Sequence, residues 1–284
     1  MKIGCSLFFT HLTSPQFITA AAKMVEARGF NSLWVPEHVL FFPEYASQYP
    51  YTDDGRLPND PIGVMEPFAA LTFVAAHTQR IRLGTGICVV PQRSPVYTAK
   101  QVADLDYLSG GRVDFGVGIG WLKEEFDALG VPFSERAPRT AECIQMMQRL
   151  WCDAVSEYHG KFYDLPRSYM NPKPVQKPHP PVIFGGESDA ALRRVASLGQ
   201  GWWGFRLTPQ SMAERLARLA AILQSVDRKV SDVRIITTPH AAASDADSLK
   251  AFRDQGVDEV VLLLGGRDLD SLARRADELL ARAP

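Results

Sequence analysis

Four short stretches of this chain carry residues whose type and spacing suit chemistry. His38, in Val-Pro-Glu-His, has the side chain best fitted to exchange protons near neutral pH, although taken alone it is equally a loop histidine bonded to backbone. Gly116, Gly118 and Gly120 alternate up to Trp121, and a strand with no Cβ on one face lets another group approach its backbone closely. That group is either a packed neighbour or a ligand. Gly84 and Gly86 repeat the pattern. Gly185-Gly186-Glu187-Ser188 precedes a helical run, where free N–H groups and the helix dipole favour an anion; the alternative is an ordinary strand-to-helix turn. The charges of Glu187 and Asp189 oppose an anion there. A dinucleotide fingerprint is excluded, because Trp121 stands where its third glycine should. There is no G-x-S-x-G elbow and no P-loop. His77, His159, His179 and His240 lack partners at ligand spacing, so no metal site is expected.

These residues need elements to hold them. The apolar run 2–9 reads as a first strand, and Ser14-Pro15 opens a helix that Gly29 stops. A second strand at 32–35 completes the strand-helix-strand signature of a parallel sheet. Strands are expected at 81–90, 113–117, 181–184, 201–205, 233–238 and 259–264, with helices between them. The count is eight strand-helix units, which predicts an α/β fold, a (β/α)8 TIM barrel spanning residues 1–284 as one domain. A proline-rich loop at 39–67 follows the second strand and carries Phe41, Phe42, Tyr45, Tyr49 and Tyr51. A loop of this length is usually functional or disordered, and its aromatic content argues against simple disorder. An insertion at about 122–180 follows the fourth strand, with a helix at 136–151 and a hairpin at 155–165. In this fold catalytic residues stand at the C-terminal ends of the strands, so His38, 86–91, 118–121 and 185–188 converge on one face. Of Trp202 and Trp203, one ring should point inward and the other outward or into the pocket.

A hydrophobic content of 46% with 22% charged residues is ordinary for a globular protein and supports a large core. The net charge of −1, with acids and bases well mixed, argues against nucleic acid and a membrane surface as partners. Cys5, Cys88, Cys143 and Cys152 form no C-x-x-C pair, which fits a reducing cytoplasm. The N-terminal residues read as a strand rather than a signal peptide, and no run approaches membrane-spanning length.

Five segments resemble one family. They are G-F-N-S-L-W-V-P-E-H (29–38), R-I-R-L-G-T-G (80–86), L-S-G-G-R-V-D-F-G-V-G-I-G-W (108–121), P-P-V-I-F-G-G-E-S (180–188) and G-W-W (201–203). The chain is similar to bacterial-luciferase-like flavin and deazaflavin oxidoreductases, in particular the group dependent on coenzyme F(420). The resemblance implies a barrel whose strand ends hold a flavin-type ring, and a hydride transfer between the deazaflavin and a small organic substrate. His38 is then the proton donor or acceptor. The Gly86–Ile87 bond matches a non-prolyl cis peptide behind the ring. Ser6, Thr85, Ile119 and Gly120 are further cofactor contacts, and Gly185, Gly186 and Ser188 form the phosphate turn. Phe41, Phe42, Trp121 and Trp203 wall the substrate pocket, and a homodimer is expected.

Two departures stand out. Deazaflavin sugar-phosphate dehydrogenases of this family carry a catalytic glutamate where this chain has Trp121, although Glu124 and Glu125 lie close by. Glu187 sits in the phosphate turn, which asks for a compensating Arg136 or Arg139. An FMN-dependent monooxygenase that uses reduced FMN and oxygen is the alternative enzyme, and a flavin-binding protein without turnover is the alternative of another class.

Overall fold

Apolar runs too short to bury themselves, each followed by an amphipathic helix, have one common solution: a parallel sheet inside a coat of helices. The computed structural model describes residues 1–58, 63–266 and 268–283, so positions 59–62 of the loop predicted at 39–67 lie outside the described residues. The first strands are β1 (Lys2–Ser6), β2 (Ser32–Val35), β3 (Arg82–Thr85) with its continuation β4 (Cys88–Val89), and β5 (Val113–Gly118). An antiparallel hairpin, β6 (Ser156–His159) and β7 (Asp164–Ser168), stands apart. The barrel is completed by β8 (Val182–Gly185), β9 (Gly201–Leu207), β10 (Arg234–Pro239) and β11 (Glu259–Leu263). It closes because β11 pairs with β1 and β3 with β5, all in parallel.

The helices are α1 (Pro15–Ala27), α2 (Pro67–His77), α3 (Pro95–Ser109), α4 (Lys123–Ala128), α5 (Arg136–Cys152), α6 (Asp189–Leu198), α7 (Pro209–Gln224), α8 (Ala246–Asp254) and α9 (Leu269–Leu280). Ser14, Glu66, Ser188, Thr208, Asp245 and Asp268 each cap a helix by accepting an orphan N–H. Prolines at 15, 67, 95 and 209 occupy the first helical position, where no N–H is needed.

One correction concerns the insertion. The helix it was expected to contain, α5, packs between α3 and α6 and is the barrel's own fourth helix. The extra chain is therefore two pieces. Residues 119–135, with the short α4, lie at the C-terminal rim, and residues 153–181, with the hairpin, lie at the far end.

Side chains alternate across each strand, and those facing inward form layers. The layer at the N-terminal end is ionic. Arg82 and Arg234 both bind Asp114, at 2.5 and 2.9 Å, Arg234 also binds Glu259, and Ser32 donates to Glu259. That buried, mutually satisfied network closes the lower end. The middle layer is apolar: Trp34, Ile183, Trp203, Ile236 and Val261, with the Trp34 and Trp203 rings edge to face at 4.6 Å. Here the glycines explain themselves. A Cβ on Gly84 would lie 2.0 Å from the Trp34 ring, and one on Gly116 would lie 2.0 Å from the Thr85 carbonyl oxygen. Close-packed neighbours, not a ligand, occupy those faces. Above them, between Leu83↔Val113 and Cys88↔Val117, five residue steps oppose four. The extra residue makes a bulge at Gly86–Ile87, whose peptide bond is cis.

Candidate active site

His38 follows β2 directly, and its neighbour Glu37 fixes where it emerges. The Glu37 carboxylate is buried, accepts from the Val89 amide at 2.5 Å and pairs with Arg93. Arg93 reaches on to Glu66 at 2.8 Å and Gln101 at 3.0 Å. Burial pushes the Glu37 carboxyl up, and the Arg93 charge opposes that shift. This clamp joins the exits of β2 and β4 to the start of α2.

The imidazole itself is held by Glu125, on α4. Nδ1 of His38 donates to Glu125 Oε2 at 3.1 Å, because an ionised carboxylate can only accept. The same carboxylate accepts from the amides of Val39 (2.6 Å) and Leu40 (3.1 Å) and from Gln92 Nε2 (3.0 Å). Burial alone would raise the Glu125 carboxyl, but these donors together, His38 first among them, hold it below its ordinary value. With the proton on Nδ1, a neutral His38 offers the lone pair of Nε2, which no described residue engages. Its side chain keeps 15% of its surface exposed, so the ring is open to a ligand.

The loop after β2 is fastened over this pair. Glu124 accepts from the amides of Ala46 (2.7 Å) and Ser47 (3.2 Å) and from the Ser47 hydroxyl (2.7 Å). Burial works against its charge, yet the Ser47 hydroxyl and the backbone donors pull its carboxyl down to about 2. Trp121 is the hub of an aromatic cage, with ring centroids 5.2 Å from Tyr49, 5.8 Å from Tyr45 and 5.8 Å from His38. Phe41 covers His38 at 4.8 Å, and Tyr51 leans on Phe205 at 4.8 Å.

Glu187 belongs to this fastening rather than to the phosphate turn. Its carboxylate accepts from Phe205 N at 2.7 Å and from the Tyr51 hydroxyl at 3.2 Å, and burial pushes it up. The turn itself is fixed from behind. Trp202 Nε1 donates to Gly186 O at 2.9 Å, and Gly186 N donates to Trp203 O at 3.3 Å. Gly186, at φ 110°, holds a conformation that side chains rarely adopt.

Of the two arginines offered as compensation, Arg139 is spent on Glu135 at 3.0 Å, one helical turn back. Arg136 is not. It opens α5 with its guanidinium 3.7 Å above the Phe133 ring, bonded only to Phe133 O at 2.8 Å, and its Nε is buried without a partner among the described residues. Arg194 stands in the second turn of α6, near enough to Arg136 for the two charges to repel. No described carboxylate pairs with it. Burial pushes both guanidinium groups down, and the charge of Arg136 adds to the effect at Arg194. Two uncompensated cations beside a helix start are suited to an anion.

A luciferase-like monooxygenase family model matches residues 1–259, most of the chain. The chain belongs to that family. An uncharacterised protein of Mycobacterium tuberculosis (strain ATCC 25618 / H37Rv) is 34% identical over 255 residues, which are 88% of this chain and 86% of the relative. An FMNH(2)-dependent dimethylsulfone monooxygenase of Pseudomonas putida is 37% identical over 131 residues, 45% of this chain and 36% of that protein. In structure, the coenzyme F(420)-dependent tetrahydromethanopterin reductase of Methanopyrus kandleri superposes with a TM-score of 0.78 at 17% identity, covering 100% of this chain and 99% of that one. The chain is thus a luciferase-like enzyme of the oxidoreductase and monooxygenase class.

Within this luciferase-like barrel the predicted residues divide. Ser6 ends β1 on the inward face that it shares with Gly4, while Ile87 lies against Gly185. A Cβ on Gly118 would meet Ile87 Cδ1 at 1.9 Å, so Ile87 lies across it and both form the floor of the mouth. Ile119 and Gly120 lead into Trp121 at the rim, Gly120 at φ 78° under Phe126 and Val89. Ser188 caps α6 through Ala191 N at 3.2 Å. The Phe41 and Trp121 rings stand 4.8 and 5.8 Å from the His38 ring. Phe42 is half-buried in the loop and shares no ring contact with them.

Two placements are corrected. The Thr85 hydroxyl donates to Gly116 O at 2.6 Å and the side chain is buried outside the barrel, because alternation with Gly84 and Gly86 turns it away. Trp203 is not a wall but the floor below Gly86, with Nε1 donating to Thr238 at 3.1 Å, while Trp202 faces outward to the turn. Glu125, Gln92, Arg194 and Tyr49 are site residues that the sequence reading did not assign. Among the described residues no group of three His, Cys, Asp or Glu could hold a metal ion, and no helix is long and apolar enough to cross a membrane.

Proposed function

We propose that the chain passes a hydride between a deazaflavin, coenzyme F(420), and a small organic substrate. The observation that carries this reading is one barrel face holding both an imidazole fixed at Nδ1 and an uncompensated arginine pair. The residues fit the coenzyme. Ser6, Gly86, Ile87, Ile119, Gly120 and Gly185 would hold its ring, and Gly186, Ser188, Arg136 and Arg194 its phosphate, with the orphaned Arg136 Nε gaining a partner.

The coenzyme, when bound, accepts or gives two electrons as hydride at one ring carbon. The chain supplies the rest. In the oxidising direction the substrate loses hydride from carbon, and His38 Nε2 takes the proton from its hydroxyl as the C–O bond becomes a carbonyl. In the reducing direction His38 returns that proton to the carbonyl oxygen. Glu125 keeps the ring oriented and stabilises the imidazolium formed in the first case. The Trp121 cage excludes water from the mouth.

The match to an FMNH(2)-dependent monooxygenase favours a second reading, oxygen chemistry on reduced FMN in the same mouth. Titration of the purified protein with FMN and with coenzyme F(420), each oxidised and reduced, separates them. Tight binding of the deazaflavin alone is the expected result. Tight binding of reduced FMN alone moves the reaction to oxygen, and binding of neither overturns both assignments.

A further inference from the structure

Arg206 stands at the C-terminal end of β9, on the rim of the same mouth. Its φ is 56°, in the left-handed region, where glycine costs nothing and an arginine is disfavoured. The pairing of β9 with β10 slips there, from Thr238↔Phe205 to Pro239↔Leu207, so that Arg206 is the extra residue of a bulge. A glycine would serve this backbone better, so the side chain has to account for the residue. Yet its guanidinium has no hydrogen-bond or ion-pair partner among the described residues. Glu187, whose carboxylate meets the neighbouring Phe205, is taken by Phe205 N and Tyr51.

Arg206 follows Phe205, whose ring meets Tyr51 at 4.8 Å, and Tyr51 meets Tyr49 at 5.5 Å, so Arg206 and Tyr49 share one stretch of the rim. The Tyr49 ring stands between Trp121 (5.2 Å) and Tyr51 (5.5 Å), its hydroxyl has no partner among the described residues, and the positive charge of Arg206 acts on it. Burial raises the Tyr49 hydroxyl and keeps it protonated, hence a donor. An unpaired guanidinium and an unpaired phenol, both donors and both half-buried beside aromatic walls, are the parts of a carboxylate site.

We infer that Arg206 and Tyr49 bind an organic carboxylate at the barrel mouth, borne by the substrate or by the tail of the coenzyme. The choice between these bearers rests on the mouth being the active site; the carboxylate site itself does not. Benzoate and its uncharged analogue benzamide, titrated calorimetrically into the coenzyme-free full chain, test it. The wild type should prefer benzoate by about tenfold or more, the size expected of a charge-assisted hydrogen bond. Arg206→Gly, which suits the backbone and so keeps the fold, should abolish the preference. Arg206→Lys should keep part of it, and Arg193→Gln, which removes an exposed cation on α6, all of it. Equal binding of the two probes by the wild type, or a preference that survives in Arg206→Gly, overturns the inference.

The coenzyme arm compares FMN, which has no carboxylate, with coenzyme F(420), which has a glutamate tail. Loss of F(420) affinity alone in Arg206→Gly assigns the carboxylate to the tail. No change in either assigns it to the substrate. An equal loss for both coenzymes overturns carboxylate recognition. Because benzoate binding is read without coenzyme, failure of the wild type to bind either coenzyme would remove the hydride-transfer reading and leave this one standing.

Discussion

Glu125→Gln keeps the shape of the residue that holds His38 and changes only what it can accept. The carboxylate receives four hydrogen bonds: two from backbone amides at Oε1, and one each from His38 and Gln92 at Oε2. The amides of Val39 and Leu40 cannot turn, so the single carbonyl oxygen of the glutamine must stay beneath them. Its NH2 then faces His38 Nδ1 and Gln92. Gln92 can adapt, because its own Oε1 is buried without a partner among the described residues and can be turned to accept. His38 can adapt only by moving its proton from Nδ1 to Nε2. The stability cost should be about 1–2 kcal/mol, since charged acceptors become neutral ones while Gln92 exchanges one bond for another and a buried charge is removed. The catalytic cost is larger. With Nε2 protonated the neutral ring has no lone pair facing the mouth, and turnover should fall roughly 10²–10⁴-fold. Long-range ¹H–¹⁵N correlation of the His38 ring reads the tautomer, a thermal melt reads the stability, and steady-state turnover with the coenzyme reads the rate. Retention of the Nδ1–H tautomer in the variant, or unchanged turnover, would refute the reasoning.

His38→Ala should lower turnover by about 10²–10⁴-fold while coenzyme affinity, measured by titration, stays nearly unchanged; equal loss of both would make His38 a binding residue instead. Arg136→Gln should weaken coenzyme binding by roughly tenfold and flatten its dependence on salt, and an unchanged dissociation constant would place the phosphate elsewhere. The Glu124 anchor should release in acid. A carboxyl lowered from 4.5 to about 2 contributes fully above pH 4.5, and the contribution is lost as pH falls from 4.5 to about 2. Tryptophan fluorescence should change in that window and the change should vanish in Trp121→Phe; a flat signal up to global unfolding contradicts the anchor. Glu187 has the opposite sign. Its carboxyl is raised by burial, so the stability it contributes is lost as pH rises through its folded value. Glu187→Gln should therefore melt no lower than the wild type at pH 8, and a clear drop in Tm there would mean that the charge is needed.

Much of the fold was legible because it is written locally. The second strand was expected at 32–35, and β2 spans Ser32–Val35; Ser14-Pro15 and Ser188 mark the helix starts they cap. Topological placement was harder. Nothing in the local sequence distinguishes α5 as a barrel helix from a helix inside an insertion, since the difference is which helices it packs against. Some site features had signals that went unread. Leu122, Glu125, Phe126 and Leu129 fall at i, i+3, i+4 and i+7, an amphipathic pattern that puts an acid on the apolar face of a short helix. Glu135 and Arg139 stand at i and i+4, which already pairs Arg139 and leaves Arg136 as the available cation. Thr85 between Gly84 and Gly86 has to face away from them. The partnership of His38 and Glu125 had no local signal, because it spans 87 residues and exists only when β2 and α4 meet at the rim.

The distribution of charge around the mouth carries information that the net charge of −1 conceals. Four carboxylates stand there, and each is consumed: Glu37 by Arg93 and Val89, Glu124 by the loop at Ala46 and Ser47, Glu125 by His38 and its neighbours, Glu187 by Tyr51 and Phe205. All four hold backbone or orient a side chain, and three of them tie down the loop after β2. The cations are treated differently. Arg136, Arg194 and Arg206 stand around the same rim without a described carboxylate to answer them, two of them partly desolvated. The Arg136 and Arg194 charges repel each other, and an anionic ligand beside them would relieve that repulsion. With a Debye length of about 8 Å at physiological salt, these charges act on what enters the mouth and hardly on the rest of the molecule. On the proposed reading, the ligand would be anionic at the α5–α6 side and beside Tyr49, and its central part would meet Gly86, Ile87 and the His38 imidazole.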